Sequence, residues 1–153
     1  MKHVDYGDQG LRSILNMDNL KTGGIKTEYG FYAMSAIVKS GGTMYAPEAL
    51  DIIKDMADIN FTRLNRENNT NQANEYCIIN AMYKVVNEIC AIDPDLTKDC
   101  VGIMARVEKN NSDVITNEGK YMPSRKQFMQ NQNSGVATRL FALKSQIGEH
   151  TDK

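Results

Sequence analysis

The sequence predicts an all-α fold, a single-domain bundle of five to six helices over residues 1–153. Apolar residues recur at steps of three and four along most of the chain, a spacing that places them on one face of a helix. A chain of 153 residues suits one domain and can bury roughly two-thirds of its unfolded surface. The hydrophobic fraction of 41% and the charged fraction of 24% are typical of globular proteins.

Residues 1–44 have the least regular pattern. A leucine-rich stretch beginning at Leu11 predicts a short helix that ends before Gly23, and a second apolar stretch around Phe31 predicts a helix that ends before Gly41. A short strand over residues 29–38 remains an alternative, because that stretch is aromatic and partly β-branched. The segment is expected either to join the core or to form an arm or a loosely packed N-terminal region.

Residues 45–109 are predicted to form the helical core. The first amphipathic helix should run over 47–66, with Pro47 in its first turn. The polar tract that follows predicts a turn, and the apolar residues of 72–92 surround most of the next helix, which should be the buried central one. Asp93 and Pro94 end that helix and begin a third, over 94–109.

The remaining residues are predicted to be a loop over 110–120 and then the C-terminal helical segment 119–148. Ser124 and Gln127 have the spacing of a capping box, which indicates a helix start. A last amphipathic helix should cover 136–147 and end at Gly148.

Charge is divided unevenly along the chain, although the net charge is only -1. Between residues 45 and 99 acidic residues outnumber basic ones by ten to five. The region between Gly119 and Gly148 carries five cations and no acidic residue. These cations, called the basic segment below, are Lys120, Arg125, Lys126, Arg139 and Lys144. Two surfaces of opposite sign could bind an anion or each other.

Asp51, Asp55 and Asp58 are the carboxylates with the most suggestive spacing, and they are called the acidic face below. They lie at i, i+4 and i+7 and therefore project from one side of the predicted first helix. Such a group can hold Mg²⁺ or supply an acid/base pair. No second carboxylate motif completes a metal cage, so a solvated helix face is favoured and no metal is predicted.

Residues suited to catalysis are scarce. The two histidines, His3 and His150, lie near the ends of the chain, where ordered and desolvated geometry is uncommon. Cys77, Cys90 and Cys100 lack Cys-x-x-Cys spacing, and we interpret them as reduced core residues. The glycine pairs do not fit a phosphate-binding motif. We therefore predict that the protein is not an enzyme, has no cofactor and has no small-molecule substrate.

The same sequence features bear on location. No apolar run approaches the roughly 18 residues of a membrane span, and no secretory signal is evident, so no membrane partner is predicted. The abundance of Met and Asn indicates an AT-rich genome, bacterial or viral. The protein is predicted to be a component of a viral or bacteriophage particle. The expected location is the cytoplasm, or a virus particle assembled in the host cytoplasm.

The function predicted from these features is structural: an interaction protein that forms a homo-oligomer or a larger assembly, or docks on another protein. The basic segment of one copy would contact the acidic face of the next, which makes a head-to-tail contact. Nucleic-acid binding is the alternative, with the basic segment on phosphates and Tyr121 and Phe128 stacking on bases. A pI near 6.1 lies below the range typical of dedicated nucleic-acid binders.

Overall fold

The computed structural model describes residues 10–68, 75–118 and 122–133, and within these ranges it contains nine α-helices and no strand. The fold is all-α and single-domain, as the sequence predicts. The helices are α1 (Leu11–Ile14), α2 (Met17–Leu20), α3 (Gly24–Gly41), α4 (Ala46–Asp55), α5 (Phe61–Glu67), α6 (Glu75–Ile92), α7 (Thr97–Asn110), α8 (Ser112–Glu118) and α9 (Pro123–Asn133). Short 3₁₀ turns precede α4 and α7.

Helix α6 lies at the centre of the bundle. It packs most extensively against α3, then against α9 and α4, and it also contacts α5, α7 and α8. Eight of its side chains are buried, among them Ile79, Met82, Val86 and Ile89. The prediction of a buried central helix is therefore confirmed from Glu75 onward, whereas 72–74 lie outside the described residues.

Residues 24–41 form one continuous helix, α3, so the alternative of a strand over 29–38 is wrong. The buried positions Thr27, Phe31, Met34 and Val38 are spaced by three and four residues, which suits a helix packed along α6. The turn into α3 needs glycine, since Gly23 and Gly24 both have positive φ (86° and 61°).

The described part of the first 44 residues is packed into the core. Leu11, Leu20 and Phe31 are fully buried in the same hydrophobic cluster as α6. The Glu48 carboxylate fixes the start of α1, because it accepts hydrogen bonds from the backbone N–H groups of Leu11 (2.8 Å) and Arg12 (3.1 Å). Negative charge at a helix N-terminus is favourable.

The helix predicted over 47–66 is two helices, because α4 ends at Asp55 and α5 begins at Phe61. The end of α7 fills the break between them: Asn110 donates to the Ala57 carbonyl (3.1 Å), and Asn111 donates to the Ile59 carbonyl (3.0 Å). Backbone groups that a continuous helix would have paired internally are bonded to these side chains instead.

The C-terminal part of the bundle differs from its prediction in one element. Residues 112–118 form α8, so the loop predicted over 110–120 is wrong for that stretch. Asn111 ends α7 and its carbonyl accepts from the Ile115 N–H, which starts a new helix one residue later. The next helix begins at Pro123, near the predicted start, while the helix predicted over 136–147 lies outside the described residues.

Candidate interaction surface

The acidic face is largely paired with cations of the same chain. Asp55 accepts a 3.0 Å hydrogen bond from the Arg12 guanidinium, and Asp58 accepts one of 2.8 Å from Arg106. Asp51 lines an open groove of about 480 Å³ together with Lys54, Lys98 and Arg106. Asp51 and Asp55 lie on α4, whereas Asp58 lies beyond the end of that helix, in the break before α5. The surroundings of the three aspartates are of mixed sign rather than purely acidic. Their role as an assembly face stays a prediction.

Arg125, the first described residue of the basic segment, is bound within the chain. Its Nε lies 2.7 Å and its Nη2 3.2 Å from the Glu108 carboxylate, and both side chains are mostly buried. The Tyr83 hydroxyl donates to the same carboxylate. One acidic group thus joins α6, α7 and α9, and a paired guanidinium of this kind is strongly held.

The pKa shifts of the two neighbours of Glu108 are consistent with its structural role. Burial, followed by the hydrogen bond to Glu108, raises the pKa of Tyr83 well above its usual value. The hydrogen bond to Glu108 also raises the pKa of Arg125. Tyr83 therefore stays protonated and Arg125 stays charged, which keeps all three groups paired at neutral pH.

Of the other residues predicted to contact nucleic acid, the structure describes two, Lys126 and Phe128. Lys126 is exposed on α9. Phe128 is buried against the Tyr83 ring, with ring centroids 5.4 Å apart, so its predicted stacking on bases is wrong. The remaining predicted residues, Lys120, Tyr121, Arg139 and Lys144, lie outside the described residues.

Helix α3 presents the most unusual surface in the described part of the chain. No charged residue occurs from Tyr29 to Val38, yet one side of this stretch faces solvent. Tyr29 is 60% exposed, Ala33 and Ala36 are also exposed, and Ile37 is half-buried. A helix that is apolar all round is normally buried on every side. We call the exposed side of α3, together with Met44 in the 3₁₀ turn that follows it, the α3 face.

The C-terminal end of the α3 face contains an apolar groove. Its volume is about 480 Å³, and it is lined by Ala36, Ile37, Ser40, Gly41, Met44 and Tyr45. Met44 is 61% exposed at its rim. At the other end of the face the rings of Tyr29 and Tyr32 lie 6.3 Å apart. The face therefore has aromatic side chains at one end and an open apolar recess at the other.

No protein-family model, curated protein or solved structure matches this chain.

Two further observations concern the predictions about metals and membranes. In residues 10–68, 75–118 and 122–133, no three His, Cys, Asp or Glu side chains are grouped so that they could hold a metal ion. None of the helices in these ranges combines the length and the apolar character that a membrane span needs.

Sequence reasoning missed the α3 face, although part of its signal was visible. The uncharged run over 29–38 is plain in the sequence, but a strand remained an alternative for it there. A helix with an uncharged surface on every side is a better clue than the spacing of three aspartates, since charged stripes occur on most surface helices.

Proposed function

We propose that this chain is a non-enzymatic interaction protein that self-associates through the α3 face. The observation that carries the proposal is the uncharged, solvent-facing side of α3 between Tyr29 and Val38. Contiguous apolar surface rimmed by polar residues is characteristic of protein interfaces. The favoured partner for this face is a second copy of the chain, because residues along the face can pack against other residues of the same face.

The self-complementarity is clearest for two α3 helices packed antiparallel about a twofold axis. With the axis between Met34 and Ser35, Ala33 of each copy lies opposite Ala36 of the other. These small side chains allow close approach of the two helices at the centre. The same register places Tyr32 opposite Ile37. A twofold interface needs such a self-complementary surface, because every contact between two positions occurs twice, once in each direction.

In this register, Tyr29 of each copy lies at the apolar groove of the other copy. Tyr29 of one copy falls opposite Ser40 of the other, which lines the groove. An exposed tyrosine ring that enters an apolar recess of about 480 Å³ loses most of its solvent contact. Tyr29 is therefore the side chain expected to contribute most to affinity.

Charge favours the antiparallel arrangement over the parallel one. Glu28 and Lys39 lie on the same flank of α3, near its opposite ends. Antiparallel packing brings Glu28 of each copy beside Lys39 of the other, whereas parallel packing would leave these groups on opposite sides of the interface. Exposed pairs add little energy, so their effect is on orientation rather than on affinity.

The experiment is a measurement of molar mass against concentration by size-exclusion chromatography with light scattering. The parent chain should form a dimer as the concentration rises, and Ala33→Arg should keep it monomeric, since two large cations would meet at the centre of the interface. Ala105→Arg is the matched control, because Ala105 is also exposed but lies on α7. A parent chain that stays monomeric at high concentration, or an Ala33→Arg variant that still dimerises, would overturn the proposal.

Membership of a viral or bacteriophage particle stays a prediction from composition. A self-associating face of this kind would suit a subunit of such a particle. The measurement of molar mass against concentration tests the self-association that a particle subunit needs. Nucleic-acid binding by the basic segment likewise stays a prediction.

A further inference from the structure

The side chain of Tyr45 forms one wall of the groove at the end of the α3 face, and its ring lies directly on Gly41. Both residues line the groove. A Cβ atom added at Gly41 would lie 2.6 Å from Cε2 of the Tyr45 ring and closer still to Cδ2. Packed carbon atoms stay about 3.5 Å apart or more, so any side chain at position 41 would displace the ring.

The backbone of Gly41 does not itself call for glycine. Its φ of −88° and ψ of −2° lie in the right-handed helical region, which other residues also adopt. Gly42 is different, because its φ is 59° and a Cβ added there would meet no atom within 4 Å. Glycine at 42 therefore serves the turn that ends α3, whereas glycine at 41 makes room for the Tyr45 ring.

The Tyr45 ring is supported from its other side by the core and by the start of α4. The side chain is half-buried and packs against the core cluster. The Tyr45 carbonyl accepts a hydrogen bond of 2.9 Å from the Ala49 N–H, which anchors its backbone at the first turn of α4. The next residue, Ala46, is fully buried. The ring is therefore held between Gly41 and the core, and the groove is formed before any partner binds.

The groups that line the groove suit an aromatic ring. The Tyr45 ring can form an offset or edge-to-face pair, the arrangement that two aromatic side chains prefer. Met44, which is 61% exposed at the rim, offers a thioether, and thioethers make favourable contacts with aromatic rings. Ala36 and Ile37 supply apolar area, and Ser40 supplies a hydroxyl that can hydrogen-bond to a phenol. None of the described residues that line the groove is charged.

We infer that Tyr45, positioned by Gly41, makes the groove selective for an aromatic ring, and that this ring is Tyr29 of a second copy. The inference rests on the proposed function, because the antiparallel packing of two α3 helices is what brings Tyr29 to the groove. Tyr29 is 60% exposed, so its ring is accessible to a partner. The twofold axis repeats the contact, so the dimer contains two Tyr29–Tyr45 pairs, one at each end of the interface.

Two glycine variants test the role of Gly41. Gly41→Ala should displace the Tyr45 ring and raise the dissociation constant of the dimer about fivefold or more, since two aromatic pairs are lost. Gly102→Ala is the matched control, because Gly102 lies in α7 and a Cβ added there would meet no atom within 4 Å. Sedimentation equilibrium measures each constant. A Gly41→Ala variant that dimerises like the parent would overturn the inference.

A double variant shows whether Gly41 acts through Tyr45. Tyr45→Ala should weaken the dimer by a similar factor, and adding Gly41→Ala to it should cause no further loss, because no ring is left to displace. If glycine at 41 served only the end of α3, its replacement would change the dissociation constant equally with and without the ring. That result would overturn the inference. Circular dichroism confirms that each variant is folded.

Substitutions at Tyr29 test the selectivity without changing the groove. Tyr29→Phe keeps the ring and should dimerise like the parent. Tyr29→Leu keeps apolar area but lacks the ring, and it should weaken the dimer about fivefold or more. Tyr29 is exposed in the monomer, so both variants should fold.

The outcomes separate this inference from the proposed function. Equal dissociation constants for Tyr29→Phe and Tyr29→Leu would overturn the selectivity for a ring and leave the α3 dimer in place. A parent chain that stays monomeric, or an Ala33→Arg variant that still dimerises, would overturn the proposed function and this inference with it.

Discussion

The Asn111 side-chain oxygen accepts a hydrogen bond of 2.8 Å from the backbone N–H of Phe61, fifty positions earlier in the chain. The amide nitrogen of the same residue donates to the carbonyls of Ile59 (3.0 Å) and Val107 (2.9 Å). Asn111 is fully buried. One side chain therefore satisfies three backbone groups, both at the break between α4 and α5 and at the end of α7.

Asn111→Ala is expected to destabilise the protein by about 2–4 kcal/mol, since a buried backbone group without a partner costs about 1–3 kcal/mol. Urea denaturation followed by circular dichroism measures the loss. Asn68→Ala is the control, because Asn68 is exposed and its side chain donates to the Leu64 carbonyl in the last turn of the helix that it ends (3.0 Å). Equal effects of the two substitutions would contradict the role of Asn111.

The contacts of Asn111 show where prediction from sequence ends. The spacing of apolar residues predicts α6 and most of α7, because each helix carries its own pattern. The break in the predicted helix over 47–66 depends on side chains from α7, some fifty positions away. A local pattern contains no information about such a partner, so the sequence predicts one helix where the structure has two.

Val86→Asp should unfold the domain, because Val86 is fully buried on the central helix α6. An unpaired carboxylate in a packed core costs several kcal/mol, against a total stability of about 5–15 kcal/mol. Val101→Asp supplies the matched control, since Val101 is 40% exposed on α7. Thermal melting compares the two, and a Val86→Asp variant that melts within a few degrees of the parent would show that α6 is not the core.

Tyr83 should make stability fall at alkaline pH. Its pKa is raised in the folded state, so its stabilisation is complete below the unfolded tyrosine pKa of about 10 and is lost as the pH rises above that value. Tyr83→Phe should cost about 1.5–3 kcal/mol at pH 7, the contribution of a hydrogen bond to a charged group.

The measurement is urea denaturation of both proteins at neutral pH and above pH ~10. Their difference in unfolding free energy should shrink as the pH rises. Tyr29→Phe, at an exposed position and measured in dilute protein, should show no such change. A difference between parent and Tyr83→Phe that stays constant would mean that the Glu108 hydrogen bond does not stabilise the fold.

The candidate surface was predicted less well than the fold. The spacing of Asp51, Asp55 and Asp58 predicts one side of a single helix, but that helix ends at Asp55. Arg12 and Arg106 come from distant parts of the chain to pair with two of the aspartates. Arg125 likewise meets Glu108 only when α9 packs beside α7. Counting charges along a sequence does not show which of them are already neutralised in the fold.

The pairing of Arg125 changes how nucleic-acid binding should be tested. Replacing Arg125 would break its ion pair with Glu108 and lower stability, so a loss of binding would be ambiguous. Lys120, Lys126, Arg139 and Lys144 should be changed to Ala together, with Arg125 kept. If the basic segment binds phosphates, fluorescence anisotropy should show weaker binding with a flatter salt dependence, by about one unit of slope per lost contact. Absence of binding by the parent chain at low salt would remove this alternative.

Salt dependence separates the two ways in which copies of this chain could associate. A contact between the basic segment and the acidic face would weaken strongly as ionic strength rises and shortens the Debye length. A contact between α3 faces buries mainly apolar area, so its dissociation constant should change by no more than about threefold between 0.05 and 0.5 M salt.

The double variant Asp51→Lys with Asp55→Lys gives the second half of this test. Asp55 is exposed and its pair with Arg12 adds little to stability, so the variant should remain folded. If association uses the α3 face, the double variant should dimerise like the parent, while Tyr29→Lys should weaken the dimer at least tenfold by leaving the groove of the other copy empty. Sedimentation equilibrium at both salt concentrations measures each constant. Loss of the dimer in the aspartate variant, together with a dimer that survives Tyr29→Lys, would move the interface from α3 to the acidic face.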